Sequence, residues 1–287
     1  MTGSKYLFPC AKFTFLVLAV LIVAFPLYWI TITSFKSKGE DYMSPPRLLP
    51  IEWTLGNYKS RLQPDSDGEL SQTLTFVKNG AIISLSVTFI SMLLASLAGY
   101  GFSRFDFPGK KPLLIGLLST QMFPYVAIML PIYLVYRSLN LLNTLTGIII
   151  GITGLVLPLG IWMLKTYIDT IDKELEEAAL IEGANRIQIL TKIIFPIITP
   201  AIVSVGMFSF IVAWNHLLYV IILISKPDLA NVPLGLRNNY MQQVAAGDIG
   251  YTTLCAALVI TSAPVVVVFL LLQKYFVSGL TAGATKG

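Results

Sequence analysis

The stretch IDKELEEAALIEGANRIQILTKIIFP, from Ile171 to Pro196, decides how the rest of the chain is read. It is the most charged short stretch in a very apolar protein, and each segment flanking it is long enough to cross a bilayer. A polar helical segment hung between two membrane spans has to meet something in water.

The bulk composition supports that frame. Charged residues make up 12% of the chain and hydrophobic ones 55%, and the mean hydropathy is +0.75. Soluble domains carry about 25% charged residues. The apolar residues come in long runs, which read as transmembrane helices. The net charge of +5 is not gathered into a basic patch with interleaved aromatics, so nucleic acid is not an expected partner. The two cysteines, Cys10 and Cys255, lie far apart and imply neither a metal site nor a disulfide framework.

The expected fold class is an all-α membrane protein, a single domain over 1–287 with six transmembrane helices. The spans fall near 13–35, 79–103, 112–136, 144–164, 197–224 and 252–272. The first is read as an uncleaved span, because no Ala-x-Ala site ends it. A polar loop, 36–78, follows it and is expected to hold short helical pieces on the membrane surface and a turn at Pro64 to Gly68. The second span is rich in Ser, Ala and Gly, including Ser84, Ser91, Ala95, Ser96 and Gly99, which predicts close packing among other helices. Pro124 and Pro131 predict a bent third span, and Gly147, Gly151 and Gly154 line one side of the fourth.

Lysine and arginine set the orientation. Lys5, Lys12, Arg104, Lys110, Lys111, Lys165, Lys173, Arg186, Lys192, Lys274 and Lys286 fall on one side, and only Arg137, Lys226 and Arg237 in the short loops opposite. Both termini and the segment 165–196 are therefore expected in the cytoplasm, and the loop 36–78 outside it.

Within the cytoplasmic segment, Asp172 is placed to cap a helix with Glu174, Glu176 and Glu177 in its first turns. Leu175, Ala178, Ala179 and Glu182 are spaced to share a face. Ala178, Ala179 and Gly183 leave a surface poor in side chains, suited to docking in a groove of another protein. Gly183 costs a helix about 1 kcal/mol relative to Ala, which fits a stop. A second helix is expected from Ala184 to Lys192, ending at Pro196 before the fifth span. On composition alone, a solvated amphipathic helix reads equally well.

The order Glu177-Ala178-Ala179, three residues, Gly183, nine residues, Ile193, one residue, Phe195-Pro196 resembles the EAA signature of permeases in binding-protein-dependent ABC importers. Asn57-Tyr58, Gly99-Tyr100 with Ser103-Arg104, Trp214-Asn215 and the tail from Gln273 to Gly283 resemble the MalG-type carbohydrate permease branch. Phe195 stands where the family usually has Leu, and His216 where the branch usually has an acidic residue. The resemblance implies a type I ABC importer transmembrane-domain fold. It implies a second homologous permease, two ATPase subunits and an extracytoplasmic solute-binding protein as partners. ATP and Mg would sit on the ATPase, and this chain would bind no cofactor. Glu177, Ala178, Ala179, Glu182, Gly183, Ala184 and Pro196 are the implied ATPase-coupling residues. Ser278, Gly279 and Lys286 would lie in a tail that reaches the ATPase.

The residues themselves agree with that division of labour. The chain has no Gly-x-x-x-x-Gly-Lys-Ser/Thr sequence and no nucleophile constellation, so it is read as a transport subunit and not as an enzyme. The span interiors carry no Asp, Glu, Lys or Arg, whereas an ion-driven carrier typically needs such groups. Candidates for the substrate path are Gln121, Trp214, Asn215, His216 and Tyr219, an aromatic and amide set suited to a sugar. An ion-driven secondary sugar carrier, a permease for a polyol or glycerol phosphate and a non-transporting membrane subunit are the competing readings.

Overall fold

The computed structural model of the chain describes residues 4–64 and 70–284, with side chains described at 12–64 and 70–274. The expected turn at Pro64 to Gly68 lies mostly outside the described residues. Among the described residues all regular structure is helical: α1 (Ser4–Ser34), α2 (Gly56–Leu62), α3 (Gln72–Arg104), α4 (Lys110–Ser119), α5 (Tyr125–Ser138), α6 (Leu145–Ile168), α7 (Glu174–Ile181), α8 (Arg186–Gln188), α9 (Phe195–Trp214), α10 (Leu218–Leu223), α11 (Val232–Gly235), α12 (Gln242–Ala246) and α13 (Tyr251–Ala284). Among the described residues five stretches are long and apolar enough to cross a membrane: Lys12–Ser34, Gln72–Arg104, Leu145–Ile168, Arg186–Trp214 and Tyr251–Lys274. Lys110–Met122 and Tyr125–Ser138 meet that test only as a pair, bent by 103°.

That bend is sharper than the curved single helix expected over 112–136. Pro124 has no N–H to give, and it drives Phe123 into extended backbone at φ −74° and ψ 131°. Pro131, by contrast, stays inside α5. The stretch expected as one span over 197–224 is also interrupted, between α9 and α10. The break exposes the carbonyl of His216, and the Asn231 amide donates to it at 2.8 Å. Backbone irregularity at membrane depth is tolerated where such a partner is supplied.

The chain divides into two compact units, one of Met1–Leu74 with Gly235–Ala263 and one of Thr75–Leu234 with Pro264–Gly287. In the first, α1 turns large apolar side chains outward, among them Phe13, Phe15, Ile22 and Val23. That is the surface of a lipid-facing helix. Its last carbonyls are closed by Asn57, whose amide donates to Ser34 O and Lys36 O, both at 2.9 Å. In the loop that follows, Glu40 accepts from Ser37 Oγ at 2.5 Å and Ile51 N at 2.9 Å. The Lys36 ammonium donates to Arg47 O at 2.8 Å and lies 4.4 Å from the centre of the Trp29 ring.

The second unit is built on α3, α6 and α9. Ala95, Phe102, Ile161, Leu164, Ala201 and Val205 form its core. The small residues of α3 face inward, with Ser84, Ser91, Ala95 and Ser96 buried. Leu85, Phe89, Leu93 and Leu97, four apart, face outward. A helix with its small residues inside and its leucines outside is arranged for lipid. At Gly99 a Cβ would lie 3.0 Å from Leu164 Cβ and 3.1 Å from the Lys165 nitrogen, so only glycine allows α3 to lie this close to α6.

Candidate functional site

The polar stretch after α6 is held by the end of α3. Glu176, in the first turn of α7, is buried. Its carboxylate accepts from Tyr100 Oη at 2.9 Å and from Arg104 Nε at 2.5 Å. The same guanidinium donates through Nη2 to Ile171 O at 2.9 Å. One residue before Arg104, Ser103 Oγ donates to Asp169 at 2.6 Å, and Lys165 pairs with the other Asp169 oxygen at 2.5 Å. Burial opposes the Asp169 charge, but the bonds from Lys165 and Ser103 outweigh it and hold the carboxyl below its usual range. Three neighbouring residues of α3 therefore fix the end of α6, the turn after it and the start of α7.

Beneath this network Ala179 packs with Tyr100, Ile168, Ile189, Ile194 and Ile198. Glu176 and Ala179 are the buried residues of α7. The face expected from Leu175, Ala178, Ala179 and Glu182 is thus divided: Ala179 points into the protein, and the other three are exposed. Ile181 and Ile187 are 88% and 73% exposed. Two isoleucines this open form an exposed apolar patch on a polar segment.

The segment's ends have local causes. Asp172 does not cap α7 with its side chain; Lys173 is the N-cap residue, and no side chain bonds there. Glu176, at the third position of the helix that Lys173 opens, is drawn to Tyr100 and Arg104. At the other end, Gly183 has φ +88°. Ala184 N donates to Ala179 O at 2.9 Å and Gly183 N to Leu180 O at 3.0 Å, the paired bonds of a Schellman C-cap. Nothing lies within 4 Å of a Cβ built on Gly183, so handedness and not crowding selects glycine. Asn185 and Gln188 then form a reciprocal capping box.

The second helix does not end at Pro196, as the sequence led us to expect. It runs through the wide turns of a π segment, Ile189–Ile194, into α9. Phe195 N reaches back to Leu190 O, and that extra residue in the turn makes room for the proline ring that follows. Pro196 lies in the first turn of α9, where its missing N–H is least costly. Ala184 is half-buried against the core below α7.

The substrate-path candidates separate into two groups. Gln121 and Tyr219 line one cleft of about 250 Å³, together with Tyr125, Tyr136, Gly151 and Gly154. Gln121 donates to Leu155 O at 3.1 Å. A Cβ on Gly151 would lie 2.8 Å from the Tyr219 ring and 3.0 Å from the Tyr136 hydroxyl, so this glycine lets both tyrosines close on α6. His216 lies beside the cleft, its ring 5.3 Å from that of Tyr219, and its Nε2 is buried without a hydrogen-bond partner. Trp214 is 2% exposed and stacks on Phe210 at 5.7 Å, away from the cleft lining. Asn215 is exposed and turns back to Ile211 O at 2.9 Å. Tyr125 and Tyr136 were not singled out in the sequence; they lie four and fifteen residues after Gln121, a spacing that carries no signal until the chain bends at Pro124. Ser278 and Gly279 fall in α13, but their side chains, like all of Lys286, lie outside the described residues. Among the described residues no group of His, Cys, Asp and Glu side chains is arranged to hold a metal ion.

Membrane-length helices, a polar helix pinned at their end and a cleft without a charged lining define a multi-pass membrane transport component. The chain belongs to the family of the binding-protein-dependent transport system inner membrane component, whose model matches residues 72–282. It is similar to the trehalose/maltose transport system permease protein MalG of Thermococcus litoralis, at 35% identity over 94% of both chains. It is also similar to the diacetylchitobiose uptake system permease protein DasC of Streptomyces coelicolor, at 31% identity over 92% of both. Among solved structures, a bacterial ABC transporter involved in the import of the acidic polysaccharide alginate superposes with a TM-score of 0.80. That chain is 23% identical, with 96% of this chain and 99% of the other covered. The fold is that of a type I importer transmembrane domain.

Proposed function

We propose that this chain is one permease of an ATP-driven importer for a neutral di- or oligosaccharide. It forms half of the translocation path with a second, homologous permease. Two ATPase subunits bind and hydrolyse ATP with Mg, and this chain binds neither. An extracytoplasmic binding protein delivers the sugar. Both termini and α7 lie in the cytoplasm on this reading, which the lysine and arginine distribution supports.

The observation that carries this reading is the two-sided construction of α7. One side is locked to α3 through Glu176 and Ala179, and the other exposes Leu175, Glu177, Ala178, Ile181 and Glu182. A helix fixed on one face and open on the other passes a push from a docked partner into the membrane helices. Ala184 and Pro196 carry that push toward α9. The sugars named for the MalG and DasC relatives favour a carbohydrate, and the uncharged lining of the cleft among the described residues favours a neutral one.

Reconstitution of the complete assembly in proteoliposomes tests this. Gly183→Pro and Glu177→Arg should leave the chain in the membrane and lower sugar uptake per ATP hydrolysed. Normal coupled uptake by Gly183→Pro, or transport by the purified chain without an ATPase, would overturn the assignment.

A further inference from the structure

We propose that the loop after α1 is a lipid anchor: residues 42–55 lie in the headgroup and upper acyl region of the leaflet in which α1 ends. Such a contact is independent of the substrate carried, since it belongs to the loop and not to the translocation path.

The stretch from Tyr42 to Leu55 holds only two charged residues, Arg47 and Glu52. Tyr42, Leu48, Leu49, Ile51, Trp53 and Leu55 are open, each between 51% and 63% exposed. A slack loop would leave apolar side chains in water by default, but this loop is not slack. Tyr28 Oη donates to Leu48 O and the Lys36 ammonium to Arg47 O, both at 2.8 Å. Ile51 N donates to the Glu40 carboxylate and Thr54 N to Phe35 O, both at 2.9 Å. The Phe35 ring packs on Trp53 and Tyr58, at 5.8 and 5.2 Å. A backbone tied at four points holds its apolar side chains in fixed places, and an apolar surface built in this way marks a membrane or partner contact.

The tie at Tyr28 chooses the occupant. Tyr28 lies within Lys12–Ser34, a stretch long enough to cross a bilayer, and α1 turns apolar side chains outward from Phe13 to Tyr28. Tyr28 is six residues before Ser34, the last of α1, which is about 9 Å back along the helix axis. Its bond to Leu48 O therefore brings the loop down the flank of the lipid-facing helix, and Leu48 and Leu49 continue that helix's apolar surface. Tyr28, Trp29 and Trp53 are the residue types of the interfacial aromatic belt. Arg47, exposed beside Leu48, supplies a cation of the kind that meets lipid phosphate. A solute-binding protein is a poorer occupant. It leaves after each delivery, and between visits six large apolar side chains would stand in water.

Fluorescence quenching in the complete assembly, reconstituted in lipid nanodiscs, tests the anchor. Cys10→Ala and Cys255→Ala clear the background, and a fluorescent thiol label is placed at Leu49→Cys, Leu55→Cys or Lys59→Cys. Lys59, exposed on α2, is the water-facing reference. Lipids brominated near the headgroup end of their chains should quench the labels at Leu49 and Leu55 about threefold or more above the reference, and aqueous iodide should quench them correspondingly less. Iodide quenching equal to the reference, without quenching by brominated lipid, overturns the anchor. Protection from iodide with no lipid quenching assigns the surface to a protein neighbour, the second permease or another copy, and also overturns it. Protection that appears only when the binding protein is added makes this a docking surface, with the same consequence. A second measurement needs no label. Trp53→Phe keeps an aromatic ring against Phe35, and it should lower the share of tryptophan emission that the brominated lipid quenches; an unchanged share contradicts the anchor. Sugar uptake per ATP hydrolysed in the unlabelled assembly is read beside these, so failure of the anchor leaves the transport reading standing.

Discussion

Arg104 Nε lies 2.5 Å from Glu176 Oε1, and each side chain is 5% exposed. The pair joins the last residue of α3 to the first turn of α7 across the whole of α4, α5 and α6 in sequence. Two charges this buried are costly to bring out of water, so the pair's net contribution to stability is small; removing one partner is the expensive change. Glu176→Ala should destabilise the protein by about 3–5 kcal/mol, toward the lower end because Arg104 keeps its bond to Ile171 O. Arg104→Met combined with Glu176→Leu should recover much of that loss, since no lone charge remains. Thermal unfolding of the detergent-solubilised protein reads both. If the double substitution fully restores stability but leaves ATP hydrolysis uncoupled from uptake, the ion pair acts in transmission and not in folding.

Gly183 ends α7 with φ +88°, a conformation that costs an L-residue about 1–2 kcal/mol. Gly183→Ala is therefore expected to lose about that much, although open space surrounds the position. Gly183→Asn should lose less, because asparagine visits this region more readily. The order Gly, Asn, Ala should appear both in thermal stability and in the ratio of uptake to ATP hydrolysed. An Ala variant as good as Gly in both would show that the cap is unimportant.

These two sites mark where the sequence was legible and where it was not. The signature at Glu177 to Gly183 is local, so its position, its glycine and its setting between spans could be read directly. The inward face of α3 was legible for the same reason, since Ser84, Ser91 and Ala95 declare a small-residue surface without any partner being known. Glu176 was not legible as the anchored residue, because among Glu174, Glu176 and Glu177 only the approach of Arg104 distinguishes it. The cleft was half legible. Gln121 and Tyr219 stood out as polar or aromatic residues in apolar runs, but Tyr125 and Tyr136 join them only after Pro124 turns the chain through 103°. Trp214 stacks on Phe210 away from the cleft lining, a placement that residue type alone does not reveal.

Glu40 gives a pH prediction outside the membrane spans. The hydrogen bond from Ser37 Oγ, and then that from Ile51 N, hold its carboxyl at about 2, well below the ordinary 4.5. A folded-state value below the unfolded one means that the ionised form stabilises the loop. The contribution is complete above about 4.5, and it falls away as the pH drops toward 2. Glu40→Gln should therefore be less stable than the parent by a constant amount from neutral pH down to the unfolded value. The gap should close on further acidification, because the parent then becomes protonated too. Parallel thermal melts across that range measure it. A gap that widens as the pH falls would contradict the assignment.

The interruption between α9 and α10 depends on one buried amide. Asn231 is fully buried; its Nδ2 donates to His216 O at 2.8 Å and its Oδ1 accepts from Leu234 N at 3.3 Å. It lies next to Ala230, whose carbonyl accepts from the Asn79 amide at 3.0 Å. Asn231→Leu keeps the volume but strands a buried carbonyl and a buried N–H, each costing about 1–3 kcal/mol when left unpaired. Asn231→Asp keeps the acceptor for Leu234 N and loses the donor to His216 O, so it should cost the break itself while sparing α11. His216 sits in that break and Tyr219 in the first turn of α10 just after it, from where Tyr219 reaches the cleft. If the amide positions Tyr219, Asn231→Asp should raise KM for sugar uptake with little change in kcat. If it serves only to fold the loop, stability should fall and KM should stay where it is. Steady-state uptake at several sugar concentrations, set beside a melting curve of the same preparation, separates the two.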